Sequence, residues 1–576
     1  MKKNTLFLSP NARLVLEKRY LKKDASGNPV ESPEDMFHRI AKNAASADLI
    51  YNKKADIISL QERFYDLMAS LQFLPNSPTL MNASRNLQQL LACFVLPVED
   101  SIESIFETVK LAALIHKSGG GTGFSFSHIR PKNDIVSTSC GLASGPISFM
   151  NVFNEATEAI NQGGLRRGAN MAVLNVNHPD ILDFISAKHS EGVLTNFNIS
   201  IGITDAFMQA VENNQSFPLI NPRTNNITNT INAKELFKKI VHSAWKNGEP
   251  GVLFIDTINA ANPTPLIGEM EGTNPCGEQP LIPYESCVLG SIDVSKMVKH
   301  NNGHYEIDWN NLEETIHLAV HILDNIIDVS KYPLPQVESL TKGNRKIGLG
   351  IMGFADLLIK LNIPYNSDEA IRFTDKLMSF FSQKANEQSV RLAAKRGVFP
   401  NFQESIYAKT NKFKYRNATR TTIAPTGTIS IIADCSSGIE PLFAIACKRH
   451  VLVEDGLLEE HPLFEEITKK RGIYTERLLE DVKKEGSIQN IKYIPDDIKR
   501  VFVTAKDISP EFHVKIQATC QKHIDNAVAK TINLPKESTA EEVEKVFLLA
   551  HKSGCKGITI YRDKSRMSQV LSAECT

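Results

Sequence analysis

No two of the nine cysteines, at 93, 140, 276, 287, 435, 447, 520, 555 and 575, stand three residues apart. That spacing and the odd count exclude paired CxxC zinc ligands and a secreted disulfide framework. Net charge is also missing: Lys plus Arg and Asp plus Glu each number 65. No long-range field therefore favours nucleic acid or an anionic membrane. No apolar run approaches the ~18 residues of a membrane span, and the three apolar residues before Ser9 are too few for a signal-peptide core. Internal repeats and low-complexity tracts are absent as well. What remains is ordinary globular usage, 42% apolar and 23% charged over 576 residues, enough for three or four domains or one large one. A folded, cytoplasmic chain is expected, with no nucleic-acid or membrane partner.

Helical spacing of apolar residues at 35–40 and 57–67 predicts a helical N-terminal domain over 1–90. Beyond Cys93, short strand-like runs at 251–255, 346–350 and 557–561 alternate with helix-like stretches at 101–117 and 539–552. Alternation over so many residues predicts an α/β sheet or barrel, here over 91–565. The charged stretch 455–500 reads as a helical surface insertion, and 566–576 as a mobile tail.

Gly348, Gly350 and Gly353 spell GxGxxG between a strand-like and a helix-like run, the pattern of a dinucleotide site. Asp368 has the spacing of the ribose-binding acid but sits in what reads as a helix start. Glycines that let a strand and a helix pack closely are the simpler reading.

Asn274-Pro275-Cys276-Gly277-Glu278 is the sharpest feature. In an extended backbone, residues two apart share a face, which would align the amide, the thiol and the carboxylate. A thiol flanked by a base and an amide suits a reactive site; a surface loop with a chance cysteine is the alternative. Cys287 and Cys93 each lie in apolar runs and, taken singly, read as core cysteines. Together the three cysteines resemble the catalytic subunit of ribonucleotide reductase. The resemblance runs from about 73 to 566 through motifs in the family's order: Asn76-Ser77-Pro78-Thr79, the glycine-rich 119–124, Gln162 to Asn170, the 274–278 run, and 424–430.

That resemblance implies a ten-stranded α/β barrel with the 274–278 loop at its centre. Cys276 would be the thiyl radical, Glu278 the acceptor of the 3′-hydroxyl proton, and Asn274 a hydrogen-bonding hold on the sugar. Cys93 and Cys287 would reduce the 2′ position and end as a disulfide. Two thiols can deliver two electrons in this way, and a partly desolvated carboxylate can act as the base. The substrate seat would comprise Ser77, Ala92, Cys93, Gly121, residues 274–278, and Pro425, Thr426, Gly427, Thr428 and Ile429. The hydroxyls and glycine of 425–430 can converge on phosphate, although a strand with an alternating Thr/Ser face would be spelled the same way. A deoxynucleoside triphosphate effector would meet Asp100, Ser101, Arg130, Arg166 and Arg167 through loops at 130–141 and 162–170. Nothing in the first 70 residues resembles the family's ATP cone.

Arg562 stands where subunit-dependent members carry the second of two adjacent tyrosines. That departure, and the wording of the glycine-rich and 424–429 motifs, resemble the adenosylcobalamin-dependent class II enzymes. The expected cofactor is adenosylcobalamin, with contact residues unspecified, and the expected substrate is a ribonucleoside diphosphate rather than a triphosphate. A class I large subunit needing a separate radical-generating subunit stays open, as does a dinucleotide-dependent oxidoreductase. The helix at 101–117 resembles one used in family dimers. A dithiol reductant of the thioredoxin or glutaredoxin kind is expected; because Cys575 is the single tail thiol, small dithiols are expected to support turnover well and thioredoxin poorly.

Overall fold

The computed structural model describes residues 6–136, 140–161, 168–410, 412–449, 457–565 and 571–572. Near the N-terminus, capped helices form a bundle. Pro33–Ala45 begins with a capping box between Ser32 and Asp35, and Ile57–Ala69 with the Asp56 side chain accepting from the Ser59 N–H. Such caps satisfy backbone donors that a helix start leaves open. The buried faces of these helices, with Phe37, Ile40, Phe64 and Met68, join one continuous core with the sheet that follows.

That sheet is a ring of two parallel halves. Cys93–Leu96, Gly121–Ser125, Asn170–Asn175, Phe197–Ile203 and Gly251–Phe254 run parallel in that order. Ser286–Asp293 and Ile347–Met352 are parallel neighbours, as are Thr531–Leu534 and Gly557–Arg562. Between these pairs runs the extended segment 419–423. It bridges Leu349 to Thr421 on one side and Ile423 to Val528 on the other, just ahead of Thr531. Antiparallel seams join the halves, Val252 opposite Ile558 and Cys93 opposite Cys287. Ten extended segments thus close the ring. The short strand Phe73–Pro75 attaches outside it to Ser286–Asp293. Parallel neighbours require long crossovers, and the helices Ile102–Lys117, Pro146–Asn161 and Trp309–Val329 lie in them.

A hairpin of Gly272–Thr273 with Pro280–Leu281 passes through the ring. It fits because Gly123 has no side chain: a Cβ there would lie 1.7 Å from the Thr273 carbonyl oxygen. Within 455–500, helices Pro462–Lys470, Glu476–Glu485 and Asp496–Val501 pack around Phe464, Leu478, Val482 and Phe502, a small core completed by Ala355, Ile359, Leu442 and Ile445. Leu571–Ser572 pairs with Lys448–Arg449. No helix among the described residues is long and apolar enough to cross a membrane.

Candidate active site

The hairpin tip is a turn, not the extended strand expected for residues 274–278. Gly277 adopts φ +83°, a left-handed conformation that side chains disfavour. Its N–H donates to the Asn274 carbonyl (3.0 Å), and the Asn274 side-chain oxygen accepts from the Gln279 N–H (3.0 Å). The turn, rather than strand alternation, therefore sorts the side chains: Asn274 and Glu278 are buried and Cys276 is exposed. The Asn198 amide donates to the Pro275 carbonyl at 2.8 Å, and the Glu278 carbonyl accepts from the Thr422 hydroxyl at 2.9 Å. Neither clamp is signalled by the sequence, since each comes from a strand distant in the chain.

Beneath the tip lies the seam that carries Cys93 and Cys287. They are direct partners across the antiparallel pair, where Cβ atoms stand ~4.5–5.5 Å apart, close to disulfide reach. The Asn274 amide lies 3.2 Å from the Cys93 sulfur. Both thiols are buried and unbridged. Burial pushes the Cys287 thiol well above its ordinary pKa; the Lys346 ammonium pulls it down, and Glu285 and Glu278 push it up. Lys346 and Glu285 form a wholly buried ion pair at 2.6 Å beside this thiol, with Glu285 also accepting from the Asn344 amide at 2.7 Å. Cys287 is therefore held as S–H, the form that can donate hydrogen.

Ser77 opens the helix Ser77–Asn82, its hydroxyl 2.8 Å from that of Tyr20. The Ala92 carbonyl accepts from the Gly121 N–H at 2.8 Å, and the Gly121 backbone closely approaches Pro275. Residues 425–428 are a turn leading into the helix Ile429–Ala433, not an alternating strand. The Thr426 hydroxyl accepts from the Gly438 N–H (2.8 Å) and the Thr428 hydroxyl from Arg19 (3.3 Å). On its other side the tip opens into a cavity of about 1070 Å³, whose lining includes Pro275, Cys276, Gly277 and Pro425. Met171, Val252, Leu253, Ile558 and Ile560 give this space an apolar wall, and Asn198 and Thr559 add polar points. Its size, its apolar wall and the exposed Cys276 thiol fit a large flat cofactor.

Asp100 and Arg130 meet in an ion pair at 2.8 Å, while Ser101 caps the helix Ile102–Lys117. Arg166 and Arg167 lie outside the described residues, as does Cys575. Gly348 and Gly350 lie inside the barrel strand Ile347–Met352, and a Cβ on Gly350 would sit 2.5 Å from the Thr422 carbonyl oxygen. They serve packing, and Asp368 begins the helix Asp368–Arg396.

A closed ten-segment ring with a cysteine-bearing hairpin inside it places the chain in a family. It belongs to the ribonucleotide reductases: residues 91–561 match the family described as "Ribonucleotide reductase, barrel domain" and 6–88 match "Ribonucleotide reductase, all-alpha domain". Curated relatives include the vitamin B12-dependent ribonucleoside-diphosphate reductase of Thermoplasma acidophilum, 49% identical over 99% of this chain and 81% of that one. The protein of the same description from Mycobacterium tuberculosis H37Rv is 46% identical over 99% of this chain and 80% of its own. The fold is shared with a class Id ribonucleotide reductase alpha subunit from Actinobacillus ureae (TM-score 0.77, 22% identity, 99% of each chain).

Proposed function

We propose that the chain is a class II enzyme, reducing ribonucleoside diphosphates to 2′-deoxyribonucleotides with adenosylcobalamin and no second subunit. The observation that carries this reading is the position of Cys276, exposed to the large cavity on one side and backed by the Asn274, Cys93 and Cys287 layer on the other. Met171, Val252, Leu253, Ile558 and Ile560 would hold adenosylcobalamin, which would supply a carbon-centred radical able to oxidise a thiol. Cys276 as a thiyl takes the 3′ hydrogen of the ribose and later returns it. Glu278 accepts the 3′-hydroxyl proton, as a buried carboxylate can. Asn274 holds the sugar edge while it contacts Cys93. Cys93 and Cys287 lose two hydrogens and join as a disulfide. The 2′-hydroxyl leaves as water, so one ribonucleotide and one dithiol give one deoxyribonucleotide, water and a disulfide.

An external dithiol such as thioredoxin or glutaredoxin then restores the pair. A deoxynucleoside triphosphate at Asp100, Ser101 and Arg130 sets substrate preference, and a homodimer forms through the 101–117 region. Cys276→Ala tests the central role. Deoxynucleotide formation should fall at least a thousandfold while the melting temperature stays unchanged, because an exposed tip thiol contributes little packing. Turnover near wild type in this variant would overturn the assignment.

A further inference from the structure

The seat formed by 425–429 has hydroxyls and backbone N–H groups but no cation of its own. Cations in the neighbouring cavity are already engaged: Lys530 pairs with Glu440 at 2.6 Å and His461 with Asp356 at 2.7 Å. That cavity also carries Asp434 and Glu460, so it is a poor place for a phosphate group. Arg19 differs. It ends the helix Pro10–Arg19, which packs on the short helix Ile429–Ala433, and its terminal nitrogen donates to the Thr428 hydroxyl at 3.3 Å. Its Nε is buried and has no hydrogen-bond partner among the described residues. Nearby Arg39 and Arg85 both pair with Glu31 at 3.0 Å, whereas no described carboxylate pairs with Arg19. The next residue, Tyr20, is buried and meets Ser77 at 2.8 Å. One helix end thus touches both sides of the proposed substrate seat.

We infer that Arg19 is a substrate-binding residue, its guanidinium taking a phosphate oxygen of the nucleoside diphosphate beside Thr428. The inference rests on the substrate reading given above. Guanidinium suits this position because its planar donors can bond Thr428 and a phosphate together. The N-terminal helical unit would then be part of the substrate site, and its docking would report phosphate occupancy.

The test is equilibrium binding of cytidine diphosphate and of cytidine to the full chain, with the effector site saturated by a deoxynucleoside triphosphate. Arg19→Gln should weaken diphosphate binding by about 10- to 100-fold, the loss expected for a charge-assisted hydrogen bond, and leave cytidine binding unchanged. In turnover the change should appear in KM with kcat nearly kept. Arg19→Met preserves the stem's packing and gives the same reading should the glutamine variant fold poorly. An undiminished preference for diphosphate over nucleoside in either folded variant overturns the inference. Failure of the wild-type chain to bind cytidine diphosphate would instead strike the substrate reading itself.

Discussion

Asp293 closes the barrel strand Ser286–Asp293 and is fully enclosed. One carboxylate oxygen accepts from the Ser295 N–H at 3.0 Å, and Lys296 stands 3.7 Å from the other. Burial outweighs these contacts and raises its pKa to about 6. An acid raised in the folded state binds its proton more tightly there than when unfolded. Its contribution to stability is therefore complete below the ordinary value of 3.8 and is lost as pH rises through about 6. The loss is on the order of 2–3 kcal/mol. Asp293→Asn keeps the acceptor for Ser295 and removes the titration. Its melting temperature relative to wild type should climb between about pH 4 and 6 and level off above; parallel curves across that window would contradict the assignment. Asp324 shows the opposite case: it is also buried, but Arg345, Arg416 and Arg396 hold its carboxyl down to about 2.

At the scale of elements, the proposed effector region is a set of pinned segments. Asp100 ties to Arg130, and Asp134 to Arg223 at 3.0 Å, so residues 130–136 are fastened at both ends. A nucleotide that engages Asp100 and Arg130 must compete with their ion pair and thereby shifts the loop population. Changing the deoxynucleoside triphosphate should alter relative rates on the four ribonucleotides by roughly 5- to 150-fold, the usual range of coupling. Arg130→Ala should flatten those ratios. Identical ratios under every effector in the wild-type chain would remove this role from the region. The helices at 102–117 and 540–552 were legible because their Ser101 and Thr539 caps and apolar spacing are local. The 274–278 turn was not, since the left-handed Gly277 breaks the alternation its residue types suggest.

For the whole molecule, the motifs announced the family, and the antiparallel seam explains why two cysteines nearly 200 residues apart belong together. Ring closure through 419–423 was hidden from the sequence because it rests on isolated bridges between distant segments. Arg19 was hidden for a different reason: a lone arginine at a helix end reads as a solvated charge until the packing onto Ile429–Ala433 is seen. The buried Lys346 and Glu285 pair was equally silent, since a charged residue beside a strand normally faces water. In the class II proposal, this one chain holds both the radical site and the reducing pair. That proposal is tested most directly by incubating the purified chain with cytidine diphosphate, a small dithiol, a deoxynucleoside triphosphate and adenosylcobalamin, and no other protein. Deoxycytidine diphosphate should accumulate through many turnovers and require the cofactor. Product that forms only after a separate radical-generating subunit is added would contradict the account.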